Sequence, residues 1–334
     1  MLSVLIREKS QVAEARRLAC ALARQLGFGE QDVARVALVV TEVATNLVKY
    51  SDEGELLVGE AEVGLKAGID IIALDKGPGI QDLAGSLRNG YSTSSSPGTG
   101  LGAIVRQSAV FDIYTQPGKG TVVFSRMAPI QRLRLGSCRD LEIGAVCKAA
   151  PGESVSGDAW QALCQPDSGL IVVADGLGHG PAAAEAARQA VRTFDASPHA
   201  SPASMISAMN GALRSTRGAA VAVARVDFTA ETITFAGVGN ISGTLIGRDV
   251  MRKTLSHNGI VGHAVSSIQE FVYPFPRSTL VVLHSDGLAT NWHLEAYAGL
   301  ARKHPGVVAA ILYRDFTRGR DDVTVVVARF TQNA

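Results

Sequence analysis

The sequence has almost no net charge, no paired-cysteine motif, no long apolar run and no histidine in its first half. Its 334 residues carry 32 Lys or Arg against 31 Asp or Glu, a formal net charge of +1. That balance leaves no field able to hold a nucleic-acid backbone, so no nucleic-acid partner is expected. The four cysteines, Cys20, Cys138, Cys147 and Cys164, form no C-x-x-C pair and stand at no zinc-finger spacing. A structural zinc or redox motif is excluded, and buried free thiols are expected. The apolar start Met1–Ile6 runs straight into Arg7, Glu8 and Lys9, and no uncharged stretch approaches the ~18 residues of a membrane span. No membrane partner is expected, and a cytoplasmic location is. Glycine is plentiful at 35 residues, while charged residues make up 19%, below the roughly 25% of an average soluble domain. Low charge with much glycine points to well-buried α/β layers whose loops approach a ligand closely. The length suits two domains, each with its own core.

Hydrophobic periodicity predicts a short opening strand, a helix over 10–26 capped by Ser10, and a second helix over 31–50. Strands are expected at 56–65 and 69–74, joined by a turn at Lys66-Ala-Gly68. A short helix, a helix over 101–108 and strands at 110–115 and 121–127 follow. Residues 128–136 read as a linker. The second unit is strand-rich, with strands at 141–149, 170–174, 220–227, 232–237, 279–284 and 323–330 and helices over 181–194 and 203–216. No internal repeat and no heptad segment is present.

Glu42 and Asn46, four apart, project from one face of the second helix. A carboxylate beside a carboxamide suits Mg²⁺ on phosphates: the amide oxygen is a hard ligand, and the carboxylate can accept a proton from an attacking hydroxyl. Alone, the pair is better read as part of a solvated helical face. The strand after it ends in Asp75-Lys-Gly-Pro-Gly79, and Gly98-Thr-Gly-Leu-Gly102 opens a helix further on. Glycines let backbone and base come close, a helix N-terminus offers N–H groups to phosphate, and Asp75 can accept a hydrogen bond from an exocyclic amine such as adenine's. A dinucleotide fingerprint is disfavoured, because two helices precede the loop and the first strands form a hairpin rather than a parallel βαβ unit.

These pieces in this order resemble the GHKL (Bergerat) ATP-binding fold, over nearly all of residues 1–126. Glu42 and Asn46 match its N box, Asp75, Gly77 and Gly79 its first glycine box, Gly98, Gly100 and Gly102 its second, and Thr121 its late threonine near adenine. Asp75-Lys-Gly-Pro-Gly-Ile80 and Gly90-Tyr-Ser-Thr-Ser94 are most similar to the serine kinases of bacterial partner-switching systems, of the RsbT type. The resemblance implies bound ATP with Mg²⁺ held by Asn46, Glu42 as base or water-orienting group, and a Ser or Thr of a STAS-domain antagonist as substrate. A chain-internal phosphohistidine relay is excluded, since no histidine precedes His179.

The second half places acidic residues at strand ends: Gly157-Asp158, Asp175-Gly-Leu-Gly-His-Gly180, Ser285-Asp-Gly287 and Asp321-Asp-Val-Thr324. A carboxylate against an apolar strand is costly unless a cation neutralises it. Oxygen donors without matching basic runs suit Mg²⁺ or Mn²⁺ rather than zinc. This order resembles the PPM family of metal-dependent Ser/Thr phosphatases in its SpoIIE and RsbX branch, over about 137–331; Val238-Gly-Asn240 and Asn258-Gly-Ile-Val-Gly-His263 are similar too. By that resemblance Asp175 bridges two metal ions, Gly176 offers its carbonyl, Asp286 and Asp321 complete the set, and Asp158 binds metal or orients the attacking water. Asp321 is favoured over Asp322. The eukaryotic members carry Glu where Gly157 stands, so one carboxylate is missing and weaker metal affinity is expected. His179 has two readings, an acid for the leaving serine oxygen or a loop histidine bonded to its own backbone, the second favoured.

The expected fold class is α/β (α+β): a GHKL α/β sandwich over 1–127, a linker over 128–136, and an αββα phosphatase sandwich over 137–331. The leading expectation is a kinase and a phosphatase in one chain, acting on STAS-domain phosphoproteins, with a sigma-factor regulator or a cyclase downstream. A second reading makes the first unit an ATP-sensing or partner-binding module, on the strength of the short Ser-rich lid Ser92–Ser96.

Overall fold

The computed structural model describes residues 1–62, 67–87, 100–129, 140–248, 250–265 and 267–331, which fall into two compact units, Met1–Leu135 and Gly136–Ala334. In unit 1, β1 (Leu2–Ile6), β2 (Gly54–Glu62), β3 (Ala67–Asp75), β4 (Val110–Gln116) and β5 (Gly120–Met127) make one sheet in the order β1-β2-β3-β5-β4, antiparallel throughout. Helices α1 (Lys9–Gln25), α2 (Glu30–Tyr50), α3 (Leu83–Leu87) and α4 (Gly100–Gln107) complete the unit. Alternate residues of β3, Ile69, Ile71 and Ala73, enter one core with Ala15, Ala19 and Ala23 of α1 and the valine stripe of α2. This is the period-2 strand pattern meeting the 3.6-residue helix pattern. The small alanines on α1 let it lie close to α2. On β3, Asp70 is buried and accepts from Nε and Nη2 of Arg126 on β5, each at 2.7 Å.

Two local expectations are corrected. α1 starts at Lys9 rather than behind Ser10, because Gln11 Oε1 accepts the backbone N–H of Arg7 and Glu8 at 2.6 and 2.9 Å. The hairpin turn does not lie at 66–68: Gly68 is already paired with Ala61 inside the β2–β3 ladder, and residues 63–66 lie outside the described set.

Unit 2 is the expected αββα sandwich. Its first sheet runs β13 (Phe271–Pro274), β10 (Thr232–Val238), β9 (Ala219–Asp227), β8 (Ser168–Gly176) and β7 (Asp158–Cys164). Its second runs β12 (Met251–Lys253), β11 (Ser242–Ile246), β14 (Leu280–His284), β15 (Val323–Phe330) and β6 (Leu141–Lys148). Helices α5 (Pro181–Asp195) and α6 (Pro202–Ala212) pack on the first sheet through Ala187, Ala190, Phe194, Met205 and Met209. Helix α7 (Pro305–Phe316), absent from the sequence expectation, packs on β6 and β15 of the second. Cys20 and Cys147 are free thiols but half-buried rather than sealed in the core as expected, and Cys164, half-buried at the end of β7, is disulfide-bonded, against the expectation for it; Cys138 lies outside the described residues.

Candidate active sites

In unit 1, Glu42 and Asn46 stand one turn apart on α2, both half-buried. α4, whose first turn holds Gly100 and Gly102, packs against α2. Asp75 ends β3 and Thr121 opens β5, and the structure joins them: Asp75 Oδ1 accepts the N–H of Gly77 at 2.7 Å and of Thr121 at 3.3 Å. The Thr121 hydroxyl meets that of Thr115 at 3.1 Å, and Thr115 Oγ1 also accepts the Ile80 N–H at 2.8 Å. Gly79 has φ +73°, and a Cβ there would run into the Gln116 carbonyl, so this turn tolerates only glycine. At Gly100 an added Cβ would meet nothing within 4 Å, leaving open space beside the start of α4. Gly98, the 90–94 stretch and the Ser92–Ser96 lid lie outside the described residues.

In unit 2, the β7–β8 register puts Asp158 directly opposite Asp175. Like charges facing across an antiparallel ladder repel. Asp158 is 4% exposed; its Oδ2 accepts the Ser285 hydroxyl at 2.6 Å, and its Oδ1 has no partner. Ser285 Oγ in turn accepts the Thr324 N–H at 2.9 Å, which ties the β14 and β15 ends to β7. Asp286 Oδ2 is held by the Asn240 amide at 2.8 Å. Asp321, exposed, takes the N–H of Asp322 at 2.9 Å. Asp322, buried, bonds the Ala150 N–H at 2.9 Å and leaves Oδ2 without a partner. Gly176 follows Asp175 with its Cα packed so closely on Ala183 of α5 that no side chain fits there.

Burial and the neighbouring carboxylates of Asp322 and Asp286 push Asp158 up to about 7, against the Ser285 bond. Burial and then Asp158, Asp286, Asp321 and Asp322 push Asp175 up to about 8. Among the described residues no three His, Cys, Asp or Glu side chains already converge as a metal cage. The donors nonetheless match a hard divalent cation: five mutually repelling carboxylates, two of them with an orphaned buried oxygen, beside a backbone carbonyl.

Residues 165–331 match the family model described as Stage II sporulation protein E (SpoIIE), half of the chain. Residues 6–126 match the histidine kinase-like ATPase domain. Over 120 residues, 36% of this chain and 90% of the relative, the sequence is 34% identical to the serine/threonine-protein kinase RsbT of Bacillus subtilis (strain 168). The chain belongs to both families, the RsbT-type kinases and the SpoIIE-type phosphatases. Among solved structures it is similar to a chain of the bacterial stressosome, described as a modular system adapted to control secondary messenger signalling. The identity there is 30% and the TM-score 0.54, over 57% of this chain and 99% of that one. It shares its fold with RsbX crystallised in complex with magnesium, at 20% identity and TM-score 0.52, over 57% of this chain and 96% of that one. It is an enzyme of the partner-switching families, with a PPM-type serine/threonine phosphatase domain joined to a kinase-like ATPase module. No helix among the described residues is long and apolar enough to cross a membrane.

Within the SpoIIE-type domain, Gly157 has a steric reason. A Cβ there would lie 2.6 Å from Asp322 Oδ2 and 2.9 Å from the Ala183 Cβ. The Asp322 carboxylate fills the space that a side chain at 157 would need. The His179 ring is tied to another loop rather than to its own backbone: its Nδ1 meets Glu153 Oε1 at 2.6 Å, which corrects the favoured reading. In sequence Asn240 and Ser285 stand out only as motif residues, in Val238-Gly-Asn240 and beside Asp286, with no role assigned, while Glu153 and the burial of Asp322 leave no mark; Asn240 lies 46 residues from the aspartate it holds.

Proposed function

We propose that the chain is a bifunctional regulator of one partner-switching pathway. Residues 1–127 transfer the γ-phosphoryl group of ATP to a Ser or Thr of a STAS-domain partner, residues 137–331 hydrolyse such a phosphoester, and 128–136 link them. In unit 1, Asn46 holds Mg²⁺ and Glu42 accepts the proton of the attacking hydroxyl or orients it. Asp75 and Thr121 receive the adenine beside the loop that Gly77 and Gly79 shape, and Gly98, Gly100 and Gly102 present backbone N–H groups to the phosphates; positioning carries most of this chemistry. In unit 2, Asp158, Asp175, Asp286, Asp321 and the Gly176 carbonyl hold two Mn²⁺ or Mg²⁺ ions. Such ions make water nucleophilic near neutral pH and steady the phosphoryl oxygens. Asp158, with Oδ2 fixed by Ser285, keeps Oδ1 to orient the attacking water. As the bond to phosphorus breaks, His179, oriented by Glu153, supplies the proton to the serine oxygen. No phosphoenzyme is required.

The observation that carries this reading is the Asp158–Asp175 pair facing across β7 and β8, with further carboxylates around it and, among the described residues, no Lys or Arg bonded to either. The two activities must differ in substrate or in timing, since both on one serine would only hydrolyse ATP. The RsbT relative supports a kinase role, and the stressosome relative's link to secondary messengers supports a cyclase as a downstream partner. Asp175→Asn should lower Mn²⁺-dependent hydrolysis of phosphoserine peptides by at least about a thousandfold, read as phosphate release. Retained hydrolysis would overturn the assignment.

A further inference from the structure

The segment Asn258-Gly-Ile-Val-Gly-His263 holds no metal ligand, and it folds against the turn between α6 and β9. Val261 and Ala219 exchange backbone N–H···O bonds of 2.9 and 3.0 Å, the Gly262 N–H goes to Asn210 Oδ1 at 2.8 Å, and His263 Nε2 donates to the Thr216 carbonyl at 3.1 Å. Within the turn, the Gly218 N–H goes to Thr216 Oγ1 at 3.0 Å. Gly218 has φ +77°, and a Cβ there would lie 2.7 Å from the Val261 carbonyl oxygen, so the turn closes only on glycine. On its other side the turn is pinned to the loop that follows Asp175, where the Leu177 N–H meets the Gly218 carbonyl at 3.0 Å. Both neighbours of Arg217 are thereby fixed.

Arg217 itself is exposed and, among the described residues, has no ion-pair or hydrogen-bond partner. Its guanidinium lies over the Asp175 loop all the same: a Cβ on Gly178, the residue before His179, would stand 3.1 Å from Arg217 Nη1. Gly178 in turn lies against Gly157, where an added Cβ would be 3.3 Å from the Gly178 carbonyl oxygen and 2.6 Å from Asp322 Oδ2. The cation therefore sits at the rim of the acid cluster, one residue from the histidine assigned to the leaving oxygen. No carboxylate there has captured it, and the strongest charges acting on Asp175 are other carboxylates. An unpaired guanidinium on a rigid turn beside the reacting centre is placed for an anion that arrives from outside. Its planar fork matches two oxygens of a phosphoryl group. We propose that Arg217 receives the phosphoryl group of the phosphoserine or phosphothreonine substrate, donating two N–H groups to its oxygens. This rests on the phosphatase reading and names the residue that recognises the phosphoester.

The test uses the full chain with Mn²⁺, a phosphoserine peptide and p-nitrophenyl phosphate as substrates, and inorganic phosphate as competitor. Arg217→Ala and Arg217→Gln should each raise KM for both substrates, and the inhibition constant of phosphate, by about tenfold, the value of one charge-assisted hydrogen bond. Their melting temperatures should match wild type, since the side chain is exposed and unbonded. Arg188→Ala, which removes the same charge from a surface pair with Glu185, should change none of these values. An unchanged inhibition constant for phosphate in either Arg217 variant overturns the proposal, even if KM for the peptide rises, because the contact would then lie elsewhere on the peptide. An equal rise in Arg188→Ala overturns it too, as an effect of net charge. Calorimetric titration of phosphate into the Mn²⁺-loaded chain makes the same comparison without turnover, and equal affinity in wild type and Arg217→Ala overturns the proposal there. Absent turnover of both substrates by wild type instead counts against the phosphatase reading.

Discussion

Asp158 and Asp175 show how one residue pair sets the demands on a site. Both are raised above the ordinary 3.8, to about 7 and about 8, by burial first and neighbouring carboxylates second. For Asp175 such a rise means a cost on the order of 5 kcal/mol for ionising in place. The folded metal-free protein therefore holds protons that the unfolded chain has already released. Their contribution to stability is whole below about pH 4 and is gone once the pH passes about 8. In chelator-treated protein, the melting temperature of unit 2 should fall as pH rises from about 5 to about 8.5, and Mn²⁺ should raise it most at the upper end, where no proton has to leave. A flat profile would contradict the cluster's electrostatics. Gly157 belongs to the same scale. At the glycine that breaks the eukaryotic pattern in sequence, an added Cβ would lie 2.6 Å from Asp322 Oδ2, so the buried Asp322 carboxylate stands beside the position where that pattern has Glu.

At the scale of elements, what was legible followed from how each element meets water. β8 and β15 announce themselves as apolar runs because they lie inside their sheets, and α2 by its stripe of valines over a polar face. α7 was invisible for the opposite reason. Pro305 through Arg314 are all buried, so it has no polar face and no helical period to detect. β7 was missed because its seven residues mix Asp158 and Gln161 with half-buried neighbours. The strand-end aspartates could be read as turns individually and as a site jointly, but their register could not: nothing in the order of residues says that Asp158 faces Asp175. α7 also supplies a test. Gly144 of β6 lies against Gly306 at its start, with no space for a Cβ. Gly144→Ala should push the helix off the sheet and destabilise unit 2 by about 1–3 kcal/mol, read by denaturant unfolding. An unchanged midpoint would show that the helix yields freely.

For the whole molecule, a near-zero net charge conceals uneven roles. Many acids and bases are ordinary surface pairs such as Arg188 with Glu185, worth little individually, while a few carboxylates are gathered where only a cation would balance them. Glycine has the same division: Gly79, Gly157 and Gly176 are close-packed beside the two sites, while Gly54, Gly144 and Gly169 are close-packed away from them. Under the proposed function the two domains have opposite effects on phosphorylated partners, and on a partner that both reach at different times a block in the hydrolase should expose the kinase. The most direct measurement is transfer of label from γ-³²P-ATP to a STAS-domain protein by the full chain carrying Asp175→Asn. Label should accumulate on serine or threonine of the partner, and adding Glu42→Ala to the same chain should reduce it at least about a hundredfold. No label with the hydrolase disabled, or label undiminished without Glu42, would contradict the account.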